Sequence, residues 1–511
     1  MRLILASRKS DLARIQAYAV GQALQKAHPQ IEIDYQFRES MGDKNLSDPL
    51  WKMPERGVFT EDFYQDLIAG HTDLVVHSWK DLPVETRAGT EIIATMLRAD
   101  ARDILIVKKS AWSEIVNTEV LKIFSSSPRR AYNLNDFLKE ALPTKIKKVE
   151  FESVRGNIPT RFRKLMTTDS IHGLVVAKAA LDRLLSASQD EFLETKNQLL
   201  MSLKECRWMV LPLKKNPTAA AQGALAIEIR KNHSEIKKLL AAINCHNTFQ
   251  TVSLEREILK SHGGGCHQKI GVTVLKRPYG QITFLQGLTE QDKSLDSVTL
   301  VSSDLNQFDN PKDKVTRDKV WPLETSDVAF FERENLNIKE VSDKNTLDGL
   351  LISKADALPQ NWNISHDKLV WAAGLETWKK LAQKGVWVWG CAEGLGESED
   401  PALTELMGAK VGFLRLTHAD ADSITGTSES LATYKLVPKV KDWPDLTGKT
   451  HFYWMSGSAF LRAMEIFPEL IAASHSCGPG HTYQVISERL KGLKNPCIFL
   501  SHQDWLKQVT I

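Results

Sequence analysis

The sequence predicts an α/β protein of several domains, on three observations. Short β-like runs alternate with amphipathic helical stretches through the first 200 residues, as repeated βαβ units do. The chain has 511 residues, of which 42% are hydrophobic, and this length predicts about three to five domains. The balance of charge also changes sign near residue 300, which indicates a boundary between modules.

Two βαβ blocks follow one another in the front half. Arg2–Ala6 predicts a strand, and apolar residues at helical spacing between Leu12 and Ala27 predict the helix after it. The same patterns predict further strands at Ile31–Phe37, Asp73–His77, Ile104–Val107, Lys148–Phe151 and Leu174–Ala177. Ligands of such folds bind at the carboxyl ends of the strands, so functional residues are expected in the loops that follow.

The chain beyond residue 231 is also predicted to consist of several segments. A helical pattern at Asn232–Lys260 leads through three glycines into a strand-like stretch that ends near residue 300. The polar, turn-rich segment 304–319 is typical of a linker. Beyond it, Leu350–Ala355 and Phe452–Ala459 are two similar apolar runs that end in small residues, which favours a module of two similar lobes.

Charge and cysteine usage exclude several classes. Residues 1–300 hold 43 Lys and Arg against 35 Asp and Glu, whereas the remainder holds 23 against 28, so the front half is expected to bind an anion. No apolar run approaches the roughly 18 residues of a membrane helix, and charge follows the apolar start too soon for a signal peptide, so the cytoplasm is expected. Six cysteines without a C-x-x-C pair predict neither a disulfide framework nor a metal site.

Arginines concentrate at three strand-to-helix junctions. These junctions are Arg8–Ser10, Ser125–Arg130 and Arg155–Arg161, and Arg183 lies on the helix after a fourth strand. A solvated basic face explains any one of them. Three together favour a site for carboxylates or phosphates, because the guanidinium group binds such anions through two parallel hydrogen bonds.

Lys80 and Asp81 follow a buried-type strand and precede Pro83. The pair therefore lies where the active sites of α/β folds occur. A surface ion pair is the alternative. In a cleft lined with arginines, the carboxylate of Asp81 would stay ionised and could stabilise a cation or transfer protons to a leaving amine.

Cys266 follows three glycines and precedes His267. An open loop of this kind makes a thiol accessible, so a reactive or modified cysteine is favoured over a structural one. A loop cysteine without a role would look the same. Metal binding is disfavoured because adjacent Cys and His lack the usual ligand spacing.

These motifs, taken together, resemble the porphobilinogen deaminase family, whose members are also called hydroxymethylbilane synthases. The family motifs occur in family order: Arg-x-Ser-x-Leu-Ala at Arg8–Ala13, Val-His-Ser-x-Lys-Asp-x-Pro at Val76–Pro83, Ser-Ser-x-Arg-Arg at Ser126–Arg130, Arg-Gly-Asn-x-x-Thr-Arg at Arg155–Arg161, and Gly-Gly-Cys at Gly264–Cys266. The resemblance implies two periplasmic-binding-protein-like lobes and a small α/β domain that carries the cysteine. It also implies a dipyrromethane cofactor, attached through a thioether to Cys266. Four porphobilinogen units are then added with loss of ammonia, and hydroxymethylbilane is released by hydrolysis.

The resemblance assigns roles residue by residue. Asp81 matches the catalytic aspartate, which would stabilise the azafulvene-like cation left by ammonia and move protons at the pyrrole nitrogens. The matches to cofactor contacts are Cys266, Lys80, Ser126, Ser127, Arg129, Arg130 and Arg161. The matches to substrate contacts are Arg8, Ser10, Gln16, Phe59, Arg155 and Arg183. The sequence departs from the family pattern at two positions: Arg56 in the active-site loop, and Ala221 in the hinge segment, where glycine is usual. The resemblance therefore does not predict the rate of the reaction.

Residues 320–511 resemble uroporphyrinogen III synthase, a two-lobed enzyme that would cyclise the product. The match rests on short elements at Ser353–Ala357, Gly374–Thr377, Ser456–Ala459 and Gly478–Thr482, and on Tyr434 at a strand that begins the second lobe. The expected domains are 1–98 with 206–228, 99–205, 229–303, a linker at 304–319, and the module 320–511.

Two other functions remain open at this point. The last module could be a degenerate synthase that serves as an interaction domain. The whole chain could also be a two-lobed anion-binding protein without catalysis, although this does not account for Cys266 or Asp81. The expected partners are porphobilinogen and hydroxymethylbilane, with no nucleic acid or membrane, and the chain is expected to be a monomer.

Overall fold

The computed structural model describes residues 1–39, 60–85, 87–264, 268–302, 314–324, 329–338, 348–396, 399–421 and 429–511. Contacts divide these residues into two compact units. The first contains residues 1–140, 144–276 and 283–298. The second contains residues 141–143, 277–282 and 299–511. No helix in the described ranges is both long and apolar enough to cross a membrane.

The first lobe is a five-stranded sheet with helices packed on it. Its strands, in the spatial order β2-β1-β3-β10-β4, are β1 (Arg2–Arg8), β2 (Glu32–Arg38), β3 (Leu74–Ser78), β4 (Thr90–Ala94) and β10 (Leu225–Arg230). Strand β1 runs parallel to β2 and β3, and β10 runs antiparallel to β3 and β4. Its first two helices are α1 (Asp11–Ala27) and α2 (Glu61–Ala69). Ala17, Val20 and Leu24 of α1 are buried against Leu3 and Leu5 of β1, which forms the core of this lobe.

The second lobe repeats this pattern. Its strands, in the order β7-β6-β8-β5-β9, are β5 (Asp103–Lys108), β6 (Val120–Phe124), β7 (Lys148–Glu152), β8 (Gly173–Ala177) and β9 (Cys206–Val210). Its helices are α3 (Trp112–Thr118), α4 (Pro128–Ala141), α5 (Ile158–Thr167), α6 (Lys178–Ser186) and α7 (Leu193–Lys204). Three parallel strands are again followed by an antiparallel one, here β5. The chain thus crosses between lobes twice, once before β5 and once after β9. The two lobes therefore share one arrangement of parallel and antiparallel strands.

One predicted boundary differs from the structure. The expected return to the first lobe at residue 206 is too early, because Cys206–Val210 pairs antiparallel with β5 of the second sheet. Strand β9 is the edge strand of the second sheet, so the chain completes this sheet before it leaves the lobe. The chain therefore returns through residues 211–224 instead.

A smaller α/β region follows β10. It contains α8 (Ser234–Ala241), α9 (His246–Ser261) and a three-stranded sheet of β11 (Gly271–Arg277), β12 (Gly280–Leu288) and β13 (Ser294–Ser302). Cys266 belongs to the loop between α9 and β11. It lies outside the described residues, as does Phe59 before α2.

The second unit contains two mainly parallel sheets. The first comprises β14 (Val320–Trp321), β21 (His451–Trp454), β22 (Ser474–Cys477) and β23 (Cys497–Ile498), in that order. The second has the order β15-β20-β19-β16-β17-β18, formed by β15 (Phe331–Asn335), β16 (Gly349–Ile352), β17 (Leu369–Ala372), β18 (Gly390–Cys391), β19 (Phe413–His418) and β20 (Glu429–Pro438). The helices are α10 (Leu375–Gln383), α11 (Thr404–Met407), α12 (Gly457–Ile466), α13 (His481–Arg489) and α14 (His502–Val509). The chain passes between the two sheets before β15 and after β20, and these two strands pair antiparallel.

Two expectations for this unit are wrong. Residues 314–319 are not part of a linker, because Val315 pairs with Thr510 and packs against Val509 in the folded unit. Tyr434 does not begin a strand of the second lobe. It lies within β20, where it pairs with Asn335 of β15 and its ring is covered by the Arg333 guanidinium at 3.6 Å.

Candidate active site

Predicted site residues lie at the carboxyl ends of parallel strands, in the loops that follow these strands, or in the helices that come next. Arg8 ends β1, Lys80 and Asp81 follow β3, and the segment Ser125–Arg130 links β6 to α4. Arg155 follows β7 in the same lobe. The strand topology therefore brings loops that are far apart in the sequence to corresponding edges of the two sheets.

A tight turn presents Lys80 and Asp81. Trp79 anchors the turn because its side chain is buried against Ala221, Ala224 and the ring of Phe249, at 5.2 Å between ring centroids. Arg256 of α9 donates hydrogen bonds to the carbonyl oxygens of the next two residues, Leu82 and Pro83. Asp81 itself is exposed at the end of the turn. The backbone around this carboxylate is thus held from both sides while its side chain faces solvent.

The two adjacent arginines surround a buried carboxylate that sequence reasoning missed. Arg129 and Arg130 are 4% and 7% exposed, and Asp103 at the start of β5 is 0% exposed. Arg129 donates to Asp103 at 2.8 Å, and Arg130 donates to both of its oxygens at 3.0 and 2.7 Å. Burial opposes ionisation of Asp103, but the two guanidinium groups outweigh it and hold its pKa far below the usual range.

Both arginines retain donors for an anionic ligand. Arg129 also donates to Asn216 Oδ1 and to the carbonyl oxygen of Pro217, and Arg130 donates to the carbonyl oxygen of Val175. In these bonds with described residues, each guanidinium group uses three of its five N–H groups. The remaining donors fit the carboxylates of a bound acidic group.

Lys80 of the first lobe completes a cationic group with Arg129 and Arg130 of the second lobe. Its ammonium group donates to Gln222 Oε1 at 3.2 Å. Burial lowers the pKa of Lys80 to about 8, with Asp81 opposing this shift and Arg130 and Arg129 adding to it. A desolvated ammonium group beside two guanidinium groups favours a nearby anion.

Arg161 and Arg155 extend the positive surface in the second lobe. Asn157 caps α5 by accepting a hydrogen bond from Thr160 N, and Arg161 Nε donates to the carbonyl oxygen of Gly156 at 2.8 Å. The φ of +112° at Gly156 explains the glycine, because a Cβ atom there would lie 2.7 Å from Thr160 Cγ2. Burial, and next the charge of Arg130, lower the pKa of Arg161 to about 10, while Asp81 opposes this shift.

The predicted serines support the loops that hold the arginines. Ser126 Oγ lies 2.9 Å from Ser153 Oγ and accepts from Val154 N, which ties the loop after β6 to the loop after β7. Ser127 Oγ accepts from Arg130 N at 3.4 Å in the first turn of α4. These contacts orient the site, and the direct ligand contacts expected of both serines stay predictions.

Three predicted substrate contacts have other surroundings in the structure. Gln16 is 3% exposed because α1 packs on β3, and its amide group exchanges hydrogen bonds with Ser78 Oγ. Ser10 is at the N-cap position of α1, but its side chain makes no capping hydrogen bond with the described residues. Arg183 donates to the carbonyl oxygen of Gly223 at 2.7 Å, and burial lowers its pKa to about 10.

A second buried carboxylate, Glu255 of α9, holds the hinge segment. It accepts two bonds from Arg98, at 2.6 and 3.0 Å, and one each from Ala221 N and Val274 N, both at 2.7 Å. Ala221 has a φ of +68°, the conformation that usually favours glycine. These bonds offset the strain of placing alanine in this conformation.

The loop that contains Cys266 is described at both of its ends. Gly264 has a φ of +56°, and a Cβ atom there would lie 3.9 Å from Val84, three residues after Asp81. At the other end, a Cβ atom at Gly271 would lie 2.0 Å from the carbonyl oxygen of Pro217 and 3.1 Å from Arg129 Cδ. One end of the loop therefore lies beside the segment after Asp81, and the other lies beside Arg129.

Comparisons with known proteins agree with this geometry. Residues 3–238 match the family model described as porphobilinogen deaminase, dipyromethane cofactor binding domain. The porphobilinogen deaminase of Lachnospira eligens is 30% identical over 285 residues, which cover 55% of this chain and 87% of that enzyme. The porphobilinogen deaminase of Syntrophomonas wolfei is 31% identical over 286 residues, which cover 56% of this chain and 84% of that enzyme.

A solved structure with partial likeness is the amino acid ABC transporter substrate-binding protein AbpA of Streptococcus pneumoniae. It is 11% identical, with a TM-score of 0.22, and the alignment covers 51% of this chain and 90% of that chain. This score is too low to support a functional comparison. The sequence matches, by contrast, extend over most of the length of two known enzymes, and we conclude that this chain belongs to the porphobilinogen deaminase family.

Proposed function

We propose that the chain polymerises four porphobilinogen units on a dipyrromethane attached to Cys266 and releases hydroxymethylbilane by hydrolysis. The observation that carries this proposal is the cationic group formed by Lys80, Arg129 and Arg130. The described ends of the cysteine loop lie beside it and beside the turn of Asp81. The cofactor, when bound, would supply the pyrrole carbon that attacks the first substrate unit, and the most recently added pyrrole would supply it at each later addition.

The chain's own residues supply charge and proton transfer. Each porphobilinogen carries an acetate and a propionate, so the arginines and Lys80 bind carboxylates by charge-assisted hydrogen bonds. In each addition the C–N bond of the aminomethyl group breaks, ammonia leaves, a C–C bond forms, and the attacking carbon loses a proton. The exposed carboxylate of Asp81 stabilises the positive charge that develops on the substrate and transfers protons.

The assigned contacts of Arg8, Ser10, Arg155, Arg161 and Arg183 remain part of this proposal. The growing product is a long polyanion and needs more cationic groups than the cofactor does. The four arginines among these residues would supply them.

We also retain the predicted domain limits, with the two changes at 206–210 and 314–319 described above. The expected monomeric state is tested by the mass of the native protein in solution.

Arg130→Leu should leave a largely apo protein of reduced stability. Removing one partner of a buried ion pair costs about 3 to 5 kcal/mol, and the cofactor also loses a charged contact. Intact mass gives the loaded fraction, and thermal unfolding gives the stability. Arg163→Leu, which removes an exposed arginine from α5, is the control. A fully loaded and active Arg130→Leu protein would show that Arg130 serves no ligand.

Loading of the apo protein should slow as the pH rises through about 8. Lys80 binds carboxylates only as the ammonium ion, and its pKa in the free site is lowered to about 8 by burial. An anion raises that pKa on binding, so binding takes up a proton above pH 8 and weakens as the pH increases. The loading rate with hydroxymethylbilane between pH 7 and 9.5 tests this. Lys80→Arg should flatten the alkaline limb, and an unchanged limb in that variant would assign the titration to another group.

The second unit is proposed to cyclise the linear product to uroporphyrinogen III. Its support is architectural: two parallel sheets are joined by the antiparallel pair β15 and β20. The N-cap residues of α10, α12 and α13 are Gly374, Ser456 and Gly480, and each lies shortly after the end of a strand. A Cβ atom at Gly480 would lie 3.4 Å from Gly396 Cα, so backbone from the two lobes meets there. Backbone N–H groups at such helix starts favour anions.

Product analysis separates this activity from an interaction domain. The purified chain is incubated with porphobilinogen, and the proposal expects uroporphyrinogen III, whereas a degenerate module would leave linear hydroxymethylbilane. Gly480→Ala should lower the cyclised share without changing porphobilinogen consumption. Gly492→Ala is its matched control, because both glycines have positive φ but no atom of the described residues lies within 4 Å of a Cβ atom at Gly492. An equal cyclised share in both variants would remove this backbone approach from the site.

A further inference from the structure

Asp103 is the buried carboxylate that lies between Arg129 and Arg130 in the candidate active site. Its two oxygens accept five hydrogen bonds: three from Arg129 and Arg130, one from Asn216 Nδ2 at 2.9 Å and one from Gln222 Nε2 at 2.8 Å. The carboxylate is 0% exposed. It is therefore saturated and enclosed, and cannot itself contact a ligand.

The partner Gln222 connects this carboxylate to the other lobe. Gln222 is 1% exposed and belongs to the return segment between the lobes. Its Nε2 donates to Asp103 Oδ1 and to the carbonyl oxygen of Ala101 at 2.7 Å, and its Oε1 accepts from Lys80. The orientation of the amide is thus fixed, with its oxygen towards Lys80. A continuous hydrogen-bonded path runs from Lys80 of the first lobe to Arg129 and Arg130 of the second.

We infer that Asp103 is a positioning residue for the cofactor. It orients both guanidinium groups and, through Gln222, the ammonium group of Lys80, so that cations from two lobes face one anionic ligand. The inference rests on the proposed function. Asp103 is the only carboxylate among the described hydrogen-bond partners of these three cations. It offsets one of their three positive charges and leaves two for the ligand.

This role predicts an energetic coupling between Asp103 and the cofactor. In Asp103→Asn both guanidinium groups lose the carboxylate that orients them, so they no longer face the ligand's carboxylates together. A residue that only holds the fold would lower the stability of the apo and loaded forms by the same amount. A positioning residue for the ligand-binding cations would lower that of the loaded form more, because the loaded form also loses ligand contacts.

The experiment compares melting temperatures of apo and loaded protein. Apo protein is produced in cells that lack porphobilinogen and is loaded with hydroxymethylbilane, and intact mass establishes each state. The rise in Tm on loading should be smaller in Asp103→Asn than in wild type by roughly 3 °C or more. Asp100→Asn is the matched control. Asp100 is another carboxylate with guanidinium and lysine partners, Arg102 and Lys178, and its substitution should leave the loading shift at the wild-type value.

Equal loading shifts in wild type and Asp103→Asn would overturn the inference. A wild-type chain that gains no mass from hydroxymethylbilane would instead overturn the proposed function, and the inference with it. If neither form of Asp103→Asn folds, Asp103→Glu keeps the charge but displaces the carboxylate by one methylene. We then expect slower loading with an apo Tm within a few degrees of wild type, and loading at the wild-type rate would contradict the inference.

Discussion

Asp81→Asn should reduce porphobilinogen consumption by roughly a hundred- to a thousandfold, the usual effect of removing one preorganised electrostatic group. The loss recurs at every addition, because the same carboxylate would act on each substrate unit. Folding should survive, since Asp81 is exposed and its turn is anchored by Trp79 and by Arg256. The measurement is the rate of substrate consumption by Asp81→Asn already loaded with cofactor.

Glu85→Gln is the matched control for this variant. Glu85 is another exposed carboxylate, four residues along the same loop, and its substitution should leave the rate within a fewfold of wild type. A rate in Asp81→Asn equally close to wild type would remove Asp81 from the mechanism. A lowered Tm with normal chemistry would make it a structural ion-pair partner.

Cys266→Ser should abolish activity, because serine cannot form the thioether that holds the dipyrromethane. The chain should have the mass of its unmodified sequence after incubation with hydroxymethylbilane. Cys245→Ser is the control: this half-buried cysteine precedes α9 and accepts a hydrogen bond from Thr248 Oγ1 at 3.2 Å. Cofactor retained by Cys266→Ser and lost from Cys245→Ser would reverse the assignment.

The fold and the site differ in how far they can be predicted from sequence. Strand β1 and helix α1 follow from local apolar spacing, and the loops after β3 and β6 are correctly expected at strand ends. Strand β9 is assigned to the wrong lobe because its partner β5 lies about 100 residues earlier in the chain. Hydrophobic patterns predict that a strand exists but not which sheet it joins.

The candidate site can also be predicted only in part from the sequence. Arg129 and Arg130 are recognisable as an adjacent pair, yet their counter-ion lies 26 residues upstream on an antiparallel strand. The available signal was a single carboxylate, Asp103, directly before the apolar run Ile104–Val107 of β5. Gln16 was expected at the substrate because its position matches a family motif, whereas the packing of α1 on β3 buries it against Ser78. Motif spacing identifies which residues matter, but tertiary packing decides what each one contacts.

The most direct test of the account is the intact mass of the chain as purified, followed by mapping of its tryptic peptides. We expect a mass above that of the sequence by one dipyrromethane. The added mass should lie on the peptide of residues 261–269, which trypsin releases after Lys260 and Lys269 and which contains Cys266. An active chain with the unmodified sequence mass, or a dipyrromethane on any other peptide, would contradict it.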